Sequence, residues 1–360
     1  MINCSKIVFF SLFLLKNDNF TLFIINNNNQ YKGVINMNNL RKIGLSALAG
    51  SLATFSVNAA DVSVSGGASI SFDDTDRGGD TDSGTRGNGF YMGDSLKFNM
   101  SGETDGGLGV AVYYEIDGGT LDDYDMTLSG DWGSLKFNGS GSSSAFGAVD
   151  DVTPNAYEEA WDIVDDDGTS TTGSPTVING GGGANMFIYT SPSMGGATFT
   201  AAYQNDGGAA AVDESYSDFA FAISPEAVEG LTLGYASSDN QIGTSRDSAE
   251  TTMYAKYAVG AFTVGVQSSE KDDTTANSDQ ESLAYGITYA VNDDISVGYS
   301  YHELEFEAGA SLVDQKSTGI QASYTMGGMT LAGASNDVEN IAGTSTRDNE
   351  GYEFTLSFAF

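Results

Sequence analysis

Hydrophobic and polar residues alternate with a period of two along most of the chain after residue 61. The stretch DVSVSGGASISF, for example, places Val62, Val64, Ile70 and Phe72 on one side and serines on the other. This pattern predicts β-strands with one apolar and one polar face. Each apolar row contains four or five side chains, which suits a strand of about 9 to 11 residues that crosses a bilayer at a tilt.

Sixteen such segments follow one another, an even number. We place them near residues 62–72, 95–103, 108–117, 122–130, 134–141, 184–192, 197–204, 215–224, 230–238, 250–259, 261–269, 280–290, 295–306, 315–326, 329–337 and 350–360. The connectors alternate strictly between short ones, such as DWG and VNDD, and long ones, such as NDGGAAAVDES. This alternation predicts a sheet with tight turns at one end and acidic loops at the other.

A soluble β-sandwich would also show alternating strands, because its two sheets cover each other's apolar faces. Here the polar face consists of Ser, Thr, Gly, Gln and Tyr, and the apolar face carries hardly a charge. A sheet in lipid must close on itself, since unpaired backbone groups find no water there. We therefore predict an all-β fold, a 16-stranded antiparallel transmembrane β-barrel around a water-filled lumen.

The first sixty residues differ from the rest. Residues 37–60 have a basic start, an apolar core and small residues that end at Ala59 or Ala60, which is the layout of a secretory signal peptide. We interpret residues 1–36 as an upstream extension from a start site assigned too early, with a longer leader or anchor as the alternative. The working domain is then 61–360.

Composition limits the chemistry of that domain. Removing residues 1–60 takes away five of the 14 Lys and Arg residues and one of the 49 Asp and Glu residues, which leaves 9 against 48 and a formal charge of −39. A surface of that sign repels nucleic acid and anionic lipid. The only cysteine, Cys4, is lost with the leader, so we expect no disulfide, no thiolate metal site and no cysteine nucleophile.

Several stretches resemble the general diffusion porins of Gram-negative outer membranes, especially the alphaproteobacterial type. They are FNMSGETDGGLGVAVYYEI (98–116), LSGDWGSLKFNG (128–139) and the final FTLSFAF, and the strand pattern extends the similarity over 61–360. The resemblance implies a homotrimer, an outer-membrane location, periplasmic termini and a third long loop folded into the pore. It also implies that the last strand is a signal for the barrel assembly machinery, with a lipid-facing row of Tyr352, Phe354, Leu356, Phe358 and Phe360.

The longest connector, residues 142–183, follows the fifth strand and is the candidate for the inward loop, here called the constriction loop. A loop of this length in a compact fold is usually functional. It carries eight carboxylates within eighteen residues, namely Asp150, Asp151, Glu158, Glu159, Asp162, Asp165, Asp166 and Asp167. In a narrow constriction these charges attract cations and repel anions, although plain solvation of an exposed loop is the alternative.

Few basic residues balance these acids. Alternate residues of a strand face opposite sides of the sheet, and this parity places Lys97, Lys136 and Lys256 on the side of the lumen. The arginine cluster of many such porins is absent from these strands, which disfavours a strong transverse field and favours a cation-preferring pore.

Other acidic and polar groups give weaker signals. Weak calcium binding at Asp165, Asp166 and Asp167 is one reading of the DIVDDDG stretch, and acidic solvation is the other, because the spacing does not fit an EF-hand. His302 is the only histidine and has no nucleophile motif beside it, so we predict no enzymatic activity. We expect no cofactor beyond a weakly bound Ca²⁺.

The sequence thus predicts an outer-membrane channel for passive diffusion of small hydrophilic solutes and ions, with a cation preference. Two alternatives stay open, a substrate-specific barrel channel and a structural or adhesive barrel without a through-pore. The expected partners are outer-membrane lipid, further copies of the chain, the barrel assembly machinery, and small solutes and cations, with no nucleic acid.

Overall fold

The computed structural model describes residues 15–16, 19–26, 29–34, 61–78, 89–162, 176–205, 214–242, 246–307 and 312–360. The chain divides into two units, Met1–Asn58 and Ala59–Phe360. In the first unit, Leu15–Lys16, Asn19–Asn26 and Asn29–Val34 form a three-stranded antiparallel sheet. The predicted signal peptide, residues 37–60, lies outside the described residues.

The second unit is a closed antiparallel barrel of sixteen strands, which confirms the predicted fold class. In chain order, β1 to β16 are Asp61–Gly78, Phe90–Glu103, Gly109–Asp117, Thr120–Gly130, Gly133–Ser140, Met186–Thr190, Ala197–Gln204, Glu214–Ile223, Leu231–Ile242, Arg246–Val259, Phe262–Asp273, Gln280–Ala290, Ile295–Phe306, Gln315–Met326, Met329–Glu339 and Asp348–Ala359. Within the described residues, no helix is long and apolar enough to cross a membrane.

The first and last strands close the barrel. β16 pairs with β1 from Asp348 opposite Gly78 to Ala359 opposite Gly67. Two further backbone hydrogen bonds join Gly66 and Phe360, one in each direction, at 2.8 and 3.0 Å. Because each of these sixteen described strands then has two neighbours, the barrel has no unpaired edge, as a sheet in lipid requires.

Side chains alternate between the outer and inner surfaces, as the period-two pattern predicts. On β11, Val264 and Val266 are exposed on the outside, whereas Gln267 and Ser269 are buried on the inside. Inward side chains are buried where the connector between β5 and β6 covers them. The main buried apolar cluster lies at this contact and includes Phe146, Ile178, Met186, Tyr216 and Leu304.

Two features of the predicted strand pattern need correction. The connectors do not alternate strictly in length, because β3 and β4, which meet at the long-loop end, are joined by Gly118 and Gly119 alone. Both glycines have positive φ angles, 54° and 80°, the backbone that two-residue hairpin turns require. Several strands are also longer than predicted at that end, because pairing continues beyond the apolar rows. β9, for example, extends to Ile242, four residues past its predicted end at residue 238.

Candidate functional site

The connector between β5 and β6 folds back into the barrel. Its described parts are an outgoing arm, residues 142–162, and a returning arm, residues 176–183. Asn138 on β5 holds both ends, because its Nδ2 donates to the carbonyl oxygens of Ser142 and Gly183, each at 3.1 Å. The predicted constriction residues Asp165, Asp166 and Asp167 lie outside the described residues.

The outgoing arm begins at a buried carboxylate on β8. Asp218 Oδ2 accepts hydrogen bonds from the backbone N–H of Phe146 at 2.6 Å and from the Tyr216 hydroxyl at 2.9 Å. Its Oδ1 accepts from the backbone N–H of Ala202 at 3.1 Å. The carboxylate thereby joins the loop to β7 and β8.

The arm then follows the inner wall towards the last strand. It is hydrogen-bonded to Gln267 on β11 and Gln321 on β14, and the Asn336 amide on β15 donates to the Glu159 carbonyl at 3.1 Å. Trp161 packs on the buried His302 of β13 with ring centroids 4.6 Å apart. The arm therefore lines the inner wall from β11 to β16.

Tyr157 fastens the far end of the outgoing arm. Its hydroxyl donates to Glu353 Oε1 and lies 2.8 Å from Thr355 Oγ1, both on β16. Tyr91 on β2 donates to the other oxygen of Glu353 at 3.1 Å, and Ser71 on β1 bonds Thr355 at 2.7 Å. This network crosses the closure of the barrel.

Five of the eight predicted constriction carboxylates belong to the described arm. Asp150, Glu158 and Glu159 are half-buried, and Asp151 and Asp162 are exposed to the lumen. Asp151 approaches Asp150 and Glu159, and Glu159 approaches Asp162, so these four carboxyl groups form one cluster. Glu158 interacts electrostatically with Glu353 of the wall and, more weakly, with Asp162 and Glu159 of the cluster.

Desolvation inside the barrel is the main cause of the raised pKa values of the carboxyl groups in this arm. It raises the pKa of Glu158 to about 8, with a further rise from the Glu353 charge. It raises the pKa of Glu159 to about 7, with Asp151 adding to the effect. The pKa values of Asp150, Asp151 and Asp162 also rise by desolvation. A carboxyl with a raised pKa is charged only above that value, so the charge of the arm depends on pH near neutrality.

The three predicted wall lysines lie on the inner face. Lys97 Nζ is 3.4 Å from Glu115 Oε1, and Lys136 Nζ is 3.2 Å from Asp125 Oδ2. Lys256 lies opposite Gly265 in the β10–β11 ladder, and Gly265 faces the loop. No ion pair joins Lys256 to a described carboxylate.

The sequence analysis missed the partners of these lysines. The alternation of side chains along a strand places Glu115 and Asp125 inside the barrel, but which lysine each one meets depends on the register between neighbouring strands. Lys97 lies directly opposite Glu115. Lys271 likewise lies opposite Glu250 and is 3.7 Å from its Oε1. Much of the positive charge of the wall is therefore compensated locally.

The outward row of the last strand lies where parity predicts. Tyr352, Phe354, Phe358 and Phe360 are exposed on the outer surface, and Leu356 is half-buried. Phe360 is the most exposed of the five, at 77%. The role of this row in assembly stays a prediction.

Within the described residues, no three His, Cys, Asp or Glu side chains form a group that could hold a metal ion. The suggested weak calcium site at Asp165, Asp166 and Asp167 lies outside them.

A closed sixteen-stranded barrel with an acidic loop folded into its lumen is the architecture of a pore, and the family comparison agrees. The model of the Gram-negative porin family matches residues 44–341. The chain belongs to this family. It is therefore an outer-membrane porin, a channel and not an enzyme.

Solved porin structures have the same fold. A porin refined at 1.8 Å resolution is 17% identical, with a TM-score of 0.62 over 83% of this chain and 100% of that chain. The anion-selective porin of Comamonas acidovorans is 15% identical, with a TM-score of 0.60 over 84% and 100% of the two chains. OmpT, an outer membrane protein of Vibrio cholerae, is 10% identical, with a TM-score of 0.61 over 85% and 100%. A comparison with curated proteins gave no match.

Proposed function

We propose that this porin lets small hydrophilic solutes and ions diffuse passively and that it prefers cations. The observation that carries the proposal is the one-sided charge of the constriction. The outgoing arm holds Asp150, Asp151, Glu158, Glu159 and Asp162, and no lysine or arginine occurs anywhere in residues 142–183. Fixed charges of one sign in a narrow, low-dielectric passage concentrate ions of the opposite sign.

The wall opposite the arm does not reverse this sign. Lys97 and Lys136 are paired with Glu115 and Asp125, so each pair contributes a dipole and no net charge. Lys256 is the one predicted wall lysine with no such pair among the described residues. The Comamonas acidovorans porin is anion-selective with the same fold, so the barrel fold alone does not set the selectivity.

The channel is proposed to work as a homotrimer in lipid. The exposed apolar rows require contact with lipid or with further copies of the chain. We also propose that the barrel assembly machinery inserts it through the last strand, since the aromatic row from Tyr352 to Phe360 is on the outer surface.

Reversal potentials in planar bilayers test the proposal. Wild-type protein in a KCl gradient should give large ohmic steps with a potential of the sign for K⁺ preference. The triple variant Asp165→Asn, Asp166→Asn, Asp167→Asn should move the potential towards zero if these carboxylates also line the constriction. A zero or opposite potential in the wild type would contradict the cation preference. Saturable block by one solute class would favour a substrate-specific channel, and the absence of current a barrel without a pore.

A further inference from the structure

Four glycines form a track on the inner wall beneath the outgoing arm. They are Gly265 on β11, Gly286 on β12, Gly298 on β13 and Gly319 on β14, one on each of four adjacent strands. None has a positive φ angle, so their backbones do not require glycine. The reason for glycine at these positions must be space.

The arm lies in the space that side chains would fill. A Cβ atom at Gly265 would lie 2.6 Å from Pro154 Cδ, and one at Gly286 would lie 2.6 Å from the Pro154 carbonyl oxygen. At Gly298 it would lie 3.1 Å from the Ala156 nitrogen, and at Gly319 3.2 Å from Ala160 Cα. These separations are shorter than ordinary carbon contacts. A side chain at Gly265 or Gly286 would therefore push the arm away from the wall, into the lumen.

Buried carboxamides bind the arm beside the track. Gln267 Oε1 accepts from the Val152 N–H at 2.9 Å, and its Nε2 donates to the carbonyls of Val149 and Asp150, each at 2.8 Å. These bonds involve the arm's backbone, so they do not depend on the side chains of the acidic residues.

Gln321 makes the second attachment. Its Oε1 accepts from the backbone N–H groups of Ala156 at 2.7 Å and Tyr157 at 3.3 Å. Its Nε2 donates to Ser300 Oγ at 2.9 Å, which holds the amide group in this orientation against the wall. Gln267 and Gln321 are 3% and 2% exposed, so water does not compete for these bonds.

We propose that the four glycines with Gln267 and Gln321 form a seat that sets how far the acidic arm reaches into the lumen. Uncharged groups then position the middle of the arm, between its attachments to the Asp218 and Glu353 carboxylates, and the arm's own carboxylates fix the selectivity. The strength of neutral hydrogen bonds and of close packing does not depend on salt concentration or on the titration of carboxylates, whereas the strength of ion pairs depends on both. Gln267 and Gln321 are positioning residues for permeation. This inference rests on the proposed channel with its constriction at residues 142–183.

Two substitutions should change the conductance in opposite directions. Gln321→Met keeps the side-chain length but loses the backbone bonds, so the arm should loosen, with higher single-channel conductance and more open-channel noise. Gly286→Ala should push Pro154 inwards and lower the conductance. The matched controls are Asn99→Met and Gly93→Ala, which lie on β2 on the same inward face as Lys97. A Cβ atom at Gly93 would meet Ser69 Oγ and not the arm. Both controls should keep the wild-type conductance.

A disulfide gives a reversible version of the same test. A Cβ built on Gly298 lies 3.2 Å from Ala156 Cβ, near the separation of about 3.5 to 4.5 Å that a disulfide spans. Gly298→Cys and Ala156→Cys are added to Gln321→Met in a chain with Cys4→Ser. Oxidation should lower the open-channel noise, because it ties the arm to the wall, and reduction should raise the noise again.

The outcomes separate this inference from the proposed function. Heat-modifiable migration on gels first identifies the variants that form barrels. If Gln321→Met and Gly286→Ala both conduct like wild type, or if oxidation leaves the noise of the reduced protein unchanged, the seat does not position the arm. A wild-type protein without current would instead refute the channel. A wild type that conducts without cation preference would leave the seat intact.

Discussion

The strongest test of the constriction concerns two adjacent carboxyl groups of the outgoing arm. Replacing Glu158 and Glu159 by glutamine removes two charges and keeps the size of the side chains. Both groups have raised pKa values, about 8 for Glu158 and about 7 for Glu159. Desolvation is the main cause in both. The cation preference of the wild type should therefore be larger at pH 9 than at pH 6.

The expected size follows from Coulomb's law. At about 10 Å, one Debye length at 0.1 M salt, a unit charge in water changes the energy of a monovalent ion by about 0.4 kcal/mol. A charge that stabilises a cation destabilises an anion by the same free energy. The permeability ratio therefore changes by about fourfold per charge without screening, and by about 1.7-fold with it. Neutralising both groups should lower the cation-to-anion ratio by about 3- to 16-fold at pH 9.

The direction of the pH dependence of the cation preference follows from the raised pKa values. Each group is charged above its folded pKa and neutral below it, so selectivity is present at pH 9 and is lost as the pH falls through 8 and 7. The double variant lacks both groups, and its reversal potential should change much less over this window. The other carboxyls of the cluster with raised pKa values, such as Asp150 and Asp151, account for the remaining change.

Reversal potentials across a tenfold KCl gradient, measured at pH 6 and pH 9, give the permeability ratios. The matched control is Glu281→Gln with Glu305→Gln, two outward carboxylates that face each other across β12 and β13. It removes the same charge from the outer surface and should leave the ratio almost unchanged. Equal wild-type ratios at the two pH values, or an equal effect of the control, would refute the reasoning.

Three further predictions concern single positions. Lys256→Met should raise the cation preference at pH 7 by about 1.7- to 4-fold, because no described carboxylate forms an ion pair with this lysine. An unchanged reversal potential would show that Lys256 lies away from the ion path. Asp218→Ala should destabilise the folded barrel by about 1 to 3 kcal/mol for each buried donor left unpaired, which would lower the thermal midpoint in detergent. Asp218→Asn should lower the midpoint less, because an amide oxygen can still accept a hydrogen bond. Equal midpoints for the two variants would contradict the idea that unpaired donors cause the loss. Deleting Phe360 should reduce the fraction of heat-modifiable barrel in outer membranes, because the backbone hydrogen bonds to Gly66 and the exposed ring are both lost. A wild-type amount of folded barrel would rule out a role of Phe360 in assembly.

The constriction illustrates what a single sequence can and cannot predict. The length and acidity of residues 142–183 mark the loop, but nothing in its letters shows that Tyr157 binds Glu353 or that Trp161 packs on His302. Gln267 and Gln321 look like ordinary lumen-facing residues in their strands. Their importance arises from contacts between residues more than a hundred positions apart.

The sequence by itself determined the number of strands, the face on which each side chain lies and the closed form of the sheet. The physical reason is local, because a two-residue period and a bilayer of fixed thickness constrain each strand separately. The tertiary structure alone decided which lysine meets which carboxylate, how far strands such as β9 continue past the apolar rows, and where the acidic arm lies. These depend on strand register and on packing across the lumen, which no periodicity within one segment records.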